Sequence, residues 1–105
     1  MIRHVALFQF KDGLGDERIA ELMNTFHTFV ATIPGLRSVS WGRNNSPEGL
    51  DKGFMHGFVM DVDDARARDG YLNHPDHVAF ATEVFLPELE NGRDSVVVFD
   101  YEVEA

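Results

Sequence analysis

The first apolar segment of the chain is Ile2-Arg3-His4-Val5-Ala6-Leu7-Phe8-Gln9-Phe10, and the turn Lys11-Asp12-Gly13 follows it. The segment is rich in residues that favour β-structure, and successive side chains of a strand point to opposite faces. Its even positions are Ile2, His4, Ala6, Phe8 and Phe10, and its odd positions are Arg3, Val5, Leu7 and Gln9. Because both sets contain apolar residues, we expect a strand that is covered on both sides.

The rest of the chain alternates between helical and strand patterns. Asp16 is predicted to cap a long amphipathic helix, whose apolar residues recur at helical spacing until Pro34-Gly35. Further strands are predicted over residues 36–43, 53–62 and 95–101. One hairpin-like and two helix-containing connections then join four strands, as in an antiparallel sheet with helices on one face.

A second helical region lies between the third and fourth strands. Asp63-Asp64 would cap a short helical turn that runs to about Tyr71, and Pro75 suits the first position of a longer helix to about Leu89. The order is therefore βαββαβ. It predicts one domain over residues 1–105, of the α+β class, with a ferredoxin-like four-stranded antiparallel sheet.

Helices on one face would leave the other face of the sheet uncovered. Apolar residues that we assign to the uncovered face are Val5, Leu7, Val39, Trp41, Met55 and Val59. Pairing two such sheets across a symmetry axis would cover them. The pattern thus predicts a homodimer.

Composition excludes several classes of function. The chain has 105 residues, eighteen acidic and nine basic, with a formal net charge of -9. The basic residues form no cluster that could follow a phosphate backbone, so nucleic acid and anionic membranes are poor partners. The absence of cysteine excludes disulfides and thiolate sites. No apolar run approaches the ~20 residues that span a bilayer, and the amino terminus has no leader pattern, so we expect a cytoplasmic protein.

The segment Tyr71-Leu72-Asn73-His74-Pro75-Asp76-His77 concentrates acid/base groups in a chain with five histidines and two tyrosines. Histidine titrates closest to neutral pH, and a nearby phenol would complete an acid/base pair. At the start of a helix, the positive end of the macrodipole would keep His77 neutral and able to accept a proton. His74 would be the helix cap, which alone would explain its presence.

The other histidines differ in their surroundings. His27 lies off the apolar stripe of the first helix, so we expect it on the surface. His4 and His56 each interrupt an apolar strand face, and each either satisfies a hydrogen bond in the core or lines a cavity. If the two strands overlap fully, His4 and His56 lie about four residues, or ~13 Å, apart. That spacing argues against one metal ion, and with no HExxH or phosphate-loop motif we expect neither a metal nor a cofactor.

Several separated motifs resemble the stress-responsive α/β-barrel family. They are Arg3 to Lys11, Ile33-Pro34-Gly35-Leu36, Trp41-Gly42, Tyr71 to His77 and Val98-Phe99-Asp100-Tyr101. The resemblance implies a ferredoxin-like protein that pairs into a dimeric α+β barrel. A plant branch of the family contains polyketide cyclases that close a poly-β-ketone by aldol condensation.

That branch implies functions for particular residues. Tyr71 and His77 would be the acting pair, and His4 and His56 would surround the substrate. With His74, Phe8 and Phe58, these residues would line a pocket for a small hydrophobic or carbonyl-bearing ligand.

Three functions follow as hypotheses. The first is ligand binding, with polyketide-cyclase-like acid/base chemistry from Tyr71 and His77. The second is a non-enzymatic structural or protective homo-oligomer, in which the histidines satisfy buried hydrogen bonds. The third is a heme- or quinone-directed monooxygenase, which rests on analogy of fold alone.

Overall fold

A four-stranded antiparallel sheet forms the centre of the fold. The computed structural model describes residues 1–104. The strands are β1 (Ile2–Phe8), β2 (Leu36–Arg43), β3 (His56–Val62) and β4 (Val96–Glu102), in the spatial order β2-β3-β1-β4. This order, with one helical connection after β1 and another after β3, confirms the predicted ferredoxin-like α+β fold.

Helix α1 (Asp16–Thr32) covers one face of the sheet, called here the inner face. Its buried residues are Ile19, Leu22, Met23, Phe26 and Phe29. The predicted stop is confirmed: Gly35 has a φ of +87°, and a Cβ added there would lie 2.5 Å from the Cβ of Ala67. The predicted cap is wrong by one residue, since extended Gly15 caps the helix without a side-chain hydrogen bond. Asp16 is instead the first helical residue, where its carboxylate complements the positive end of the helix.

The second helical region is more broken than the sequence pattern predicts. It consists of α2 (Ala65–Leu72), α3 (Pro75–Ala79), a π-helical segment (Phe80–Phe85) and a 3-10 turn (Leu86–Glu88). The predicted single helix from Pro75 to Leu89 is therefore wrong. Pro87 has no N–H to continue the helical ladder, and the wider π-helical turn brings the rings of Phe80 and Phe85 to 5.5 Å.

The predicted strand ends also shift. Strand β3 begins at His56, not at Gly53, because Gly53 has a φ of +89° and its N–H donates to Asp51 Oδ1 at 2.7 Å in a tight turn. Strand β1 ends at Phe8, and Phe10 forms only an isolated bridge with Leu89. Strand β4 begins one residue later than predicted, after a 3-10 turn over Gly92–Ser95.

The other face of the sheet, called here the open face, carries half-exposed apolar residues around an ion pair. Arg3 Nε donates to Asp61 Oδ1 at 2.8 Å, and this hydrogen bond lowers the pKa of Asp61. The surrounding apolar residues are Val5, Leu7, Val59, Val97, Phe99 and Tyr101. Assigning Val39 and Trp41 to this face is wrong. A register shift between Leu36 and Ser38 turns Val39 into the core, and Trp41 Nε1 donates to Asn24 Oδ1 of α1 at 2.9 Å.

No helix within residues 1–104 combines the length and hydropathy that a membrane span requires.

Candidate functional site

A cavity of about 570 Å³ lies between the inner face of the sheet and the segment from α2 to the π-helical turn. That volume suits a small organic molecule. The sheet contributes His4, Ala6, Phe8, Phe58, Val96 and Val98, and the helical side contributes Phe26, Tyr71, Leu72, His77, Val78, Phe80, Ala81, Thr82, Phe85 and Leu86. Arg93 completes the lining. The cavity is thus apolar and aromatic, with a few polar groups.

Tyr71 lies in the last turn of α2 and is almost fully buried, with 1% of its surface exposed. Burial raises the pKa of its phenol well above the usual value, so the hydroxyl keeps its proton at neutral pH and can donate a hydrogen bond. Among residues 1–104 the hydroxyl makes no side-chain hydrogen bond. Every completely buried side-chain oxygen or nitrogen in that range has a hydrogen-bond partner. The hydroxyl of Tyr71 has none, so it must be accessible from the cavity.

His77 lies against Tyr71 because the chain turns sharply between α2 and α3. His74 caps α3 by accepting a hydrogen bond from the Asp76 N–H at its Nδ1, at 3.1 Å, and Pro75 is the first helical residue. One turn on, the ring of His77 lies 4.4 Å from that of Tyr71, centroid to centroid. The predicted proximity of phenol and imidazole is therefore present in the structure.

The protonation of His77 follows from its surroundings. Burial lowers its pKa and outweighs the opposing hydrogen bond with the Leu72 carbonyl, so the ring is neutral at pH 7. The sequence predicted this direction from the helix dipole, whereas the cause that the structure shows is burial. Nδ1 lies 3.2 Å from the carbonyl oxygen of Leu72. Since a carbonyl only accepts, Nδ1 carries the hydrogen and Nε2 is free to accept a proton.

His4 is held by a carboxylate that sequence analysis missed. Its Nδ1 lies 2.6 Å from Asp100 Oδ1 on the neighbouring strand β4, and only 4% of the residue is exposed. Asp100 Oδ2 in turn lies 3.5 Å from Arg68 Nη1 of α2. Since a carboxylate accepts hydrogen bonds, Nδ1 carries the hydrogen of this contact, and Nε2 is left for a second hydrogen bond. The ring packs 6.1 Å from that of Tyr71, so His4 joins the same polar group of the cavity.

Aromatic rings form the remaining floor of the cavity. Phe58 lies 5.4 Å from His4 and 5.6 Å from Phe8, and Phe8 lies 4.8 Å from Phe85, all measured between ring centroids. Both phenylalanines predicted to contact a ligand, Phe8 and Phe58, therefore line the cavity.

Two of the predicted ligand-binding residues lie elsewhere. His56 pairs with Phe8 on β1, four residues from the position of His4, and its ring packs 5.3 Å from that of Phe10, outside the cavity lining. His74 is used as the cap of α3 and borders a separate shallow cleft beside Pro34 and Gly35. His27 is exposed on α1.

The sequence contains a pattern that could have identified Asp100 as a candidate site residue. This residue interrupts the alternation of Val96 and Val98 on β4, as His4 interrupts β1, and the β1–β4 register sets the two opposite each other. No such pattern marks Arg68 and Arg93, because their positions depend on how α2 and the last turn pack. Within residues 1–104, no group of three or more histidine, aspartate or glutamate side chains is placed to hold a metal ion.

Residues 2–103 match the family described as the stress responsive A/B barrel domain, and the chain belongs to that family. The stress-response A/B barrel domain-containing protein HS1 of Arabidopsis thaliana is 38% identical over 100 residues, covering 95% of this chain and 87% of that protein. The family resemblance found in the sequence motifs is thus confirmed.

Two further matches bear on activity and assembly. Olivetolic acid cyclase of Cannabis sativa is 25% identical over 100 residues, which cover 95% of this chain and 94% of the cyclase. A crystal structure of a protein from Jannaschia sp. CCS1, described as a dimeric ferredoxin-like protein of unknown function, has a TM-score of 0.85 and 26% identity. That match covers 97% of this chain and 98% of the other.

Proposed function

We propose that this stress-responsive A/B barrel protein binds a small hydrophobic, carbonyl-bearing molecule in the cavity, and that Tyr71 and His77 act on it as an acid/base pair. The observation that carries the proposal is the pairing of these two rings, 4.4 Å apart, in a cavity of about 570 Å³ lined mainly by apolar side chains. The similarity to a protein named olivetolic acid cyclase supports a reaction of the cyclase type.

Tyr71 would bind the carbonyl oxygen of the ligand. Its raised pKa keeps the hydroxyl protonated, so it donates a hydrogen bond to that oxygen. The bond strengthens as negative charge develops on the oxygen, which lowers the barrier to forming an enolate.

His77 would remove the proton next to the carbonyl. Its Nε2 takes the proton from the α-carbon, and the electrons of the broken C–H bond form the C=C bond of the enolate. In an aldol closure, the enolate carbon then attacks a second carbonyl carbon and forms a C–C bond. The resulting alkoxide takes the proton back from His77, so the pair ends in its starting state.

His4 would orient the ligand from the other side of the cavity. Asp100 holds its Nδ1 at 2.6 Å, which fixes the ring and leaves Nε2 for a hydrogen bond to a polar group of the ligand. Phe8 and Phe58 would supply apolar contact to the body of the ligand.

The exchange of α-protons of propiophenone for deuterium in D₂O, followed by NMR, tests this proposal. We expect the protein to accelerate exchange, and His77→Ala and Tyr71→Phe each to reduce the acceleration by about 10²-fold or more. His27→Ala, which changes an exposed histidine of α1, is the control and should exchange at the wild-type rate. Equal rates for all four proteins would overturn the acid/base function.

A non-enzymatic function is the second candidate, because the His4–Asp100 contact already satisfies a buried imidazole without any ligand. The same experiment separates the two. If His77 and Tyr71 affect only stability, the wild-type protein does not accelerate exchange at all.

We propose further that the chain forms a homodimer through its open face. Phe99 is 64% exposed and Leu7 39%, an unusual surface for a monomer, and a similar structure is described as dimeric. Light scattering at micromolar concentration should give twice 11.9 kDa, and Phe99→Glu should lower the mass to that of a monomer. A wild-type mass of one chain would overturn the dimer.

Heme- or quinone-directed oxygenation stays a prediction from the fold alone.

A further inference from the structure

We infer that Arg93 binds the anionic head of an amphiphilic ligand at the mouth of the cavity, so that the site selects carbonyl compounds that carry a carboxylate or phosphate group. The inference rests on the proposed function and deepens it, because it names the class of ligand that the same cavity takes.

The lining of the cavity has a buried floor and an exposed mouth. Tyr71 and His4 are almost completely buried, whereas Val98 is 56% exposed, and Val78 and Arg93 are also exposed. The exposed rim of the cavity also includes Leu72 and Thr82. A ligand whose inner end contacts Tyr71 would have its outer end at this rim, where Arg93 lies.

Arg93 brings an uncompensated positive charge to this mouth. Of the seven arginines of the chain, Arg3, Arg18, Arg37 and Arg68 lie within ion-pair distance of carboxylates. Within residues 1–104 Arg93 has no such partner, and the cavity lining contains no aspartate or glutamate. In a chain of net charge -9, an arginine without such a partner among the residues that line an apolar cavity is a specific feature.

The backbone that carries Arg93 is fixed in place. Gly92 has a φ of +54° and opens the 3-10 turn, and the Asn91 N–H donates to Ser95 Oγ at 2.8 Å. Ser95 is almost completely buried, and its carbonyl accepts from the Gln9 N–H at 3.0 Å. The turn is thus tied to the chain just beyond β1, which holds Arg93 at the cavity while its side chain reaches into solvent.

The mouth of the cavity and its apolar interior together define the class of ligand. A guanidinium offers a planar pair of donors that matches carboxylate and phosphate oxygens alike, and the apolar lining accepts a hydrocarbon or aromatic body. With its head at Arg93, the ligand would extend its body inward and present a carbonyl to Tyr71 and His77. A keto acid, or a ketone with a phosphate group, has this arrangement.

Isothermal titration with octanoate, octyl phosphate and octanol tests the inference, since the three probes share one chain and differ in the head. We expect one or both anions to bind wild-type protein at least tenfold more tightly than octanol. Arg93→Gln should remove that preference and leave octanol binding unchanged. Arg66→Gln is the matched control: Arg66 is exposed, lies outside this cavity, and its loss changes the net charge equally.

The relative affinities of the three probes identify the head group that Arg93 binds. Tighter binding of octanoate identifies a carboxylate head, and tighter binding of octyl phosphate identifies a phosphate head. Equal binding of all three probes, binding of none, or an Arg93→Gln variant that retains the preference would overturn the inference. Propiophenone carries no anionic group, so its exchange measures the acid/base pair separately from Arg93.

Discussion

The two ends of the inner face carry the same residue type in different surroundings. At one end, His4 on β1 lies under the α2–α3 segment, bound to Asp100 and facing the cavity. At the other, four residues along the same pair of strands, His56 packs on Phe10 and lines no part of that cavity. Both interrupt an apolar strand face in the same way. What packs over the strand, rather than the strand pattern, therefore makes one of them a candidate site residue.

The largest expected difference between these ends is in stability. His4→Ala should lower the free energy of unfolding by about 3 kcal/mol, because it opens a cavity between Phe58 and Tyr71 and leaves Asp100 with Arg68 alone. His56→Ala should cost about 1 kcal/mol or less, since His56 is only partly buried. Urea denaturation measures both, and equal losses would remove the distinction.

A second, smaller effect concerns the carboxylate that holds His4. Asp100→Asn keeps the shape of the side chain but loses the charge-assisted hydrogen bond, which should cost about 1.5 kcal/mol. Asp94→Asn changes an exposed aspartate near the start of the same strand and should change stability by less than about 0.5 kcal/mol. If the two variants unfold at the same urea concentration, the His4–Asp100 contact contributes little.

The smallest effect is the response of stability to pH. Burial lowers the pKa of both His77 and His56 in the folded protein. Below the unfolded value near 6.5 the unfolded chain binds more protons, so these residues make the folded state less stable as the pH falls from about 6.5 toward their folded pKa. Above that window they have no effect.

Variants of His77 and His56 show which of the two residues causes more of this loss of stability at acidic pH. His77→Gln should reduce the loss of stability between about pH 6.5 and 5 more than His56→Gln does, because His77 is the more deeply buried ring. Urea midpoints across that range measure it. A larger change for His56→Gln would show that His56, not His77, causes most of the loss of stability at acidic pH.

Much of the fold could be predicted because it follows from local patterns. The apolar stripe of α1, the stop at Gly35 and the strand alternation each express sterics that neighbouring residues determine. The broken second helix could not be predicted, because the π-helical turn at Phe80–Phe85 depends on tertiary packing. Phe85 lies in the core and Phe80 packs against it, and local sequence does not encode these contacts. Likewise, the register shift in β2 reversed the face assigned to Val39 and Trp41.

The candidate site was predictable in part for the same reason. Tyr71 and His77 are close in sequence, and a capped turn brings them together. Asp100 interrupts the apolar alternation of β4, but its contact with His4 depends on strand pairing across 96 residues of chain, which local patterns do not determine. Whether His4 or His56 shared the cavity depended on the packing of α2 and α3.

The imidazole ¹⁵N resonances of the five histidines show directly which rings contact a ligand, because each ring reports its own protonation and contacts. In a titration with propiophenone at pH 7, we expect the Nε2 resonances of His77 and His4 to shift, while the resonances of His56 and His27 stay in place. We also expect the hydrogen of neutral His77 to reside on Nδ1. Shifts at His56 equal to those at His77, or a protonated His77 at pH 7, would contradict the proposed site.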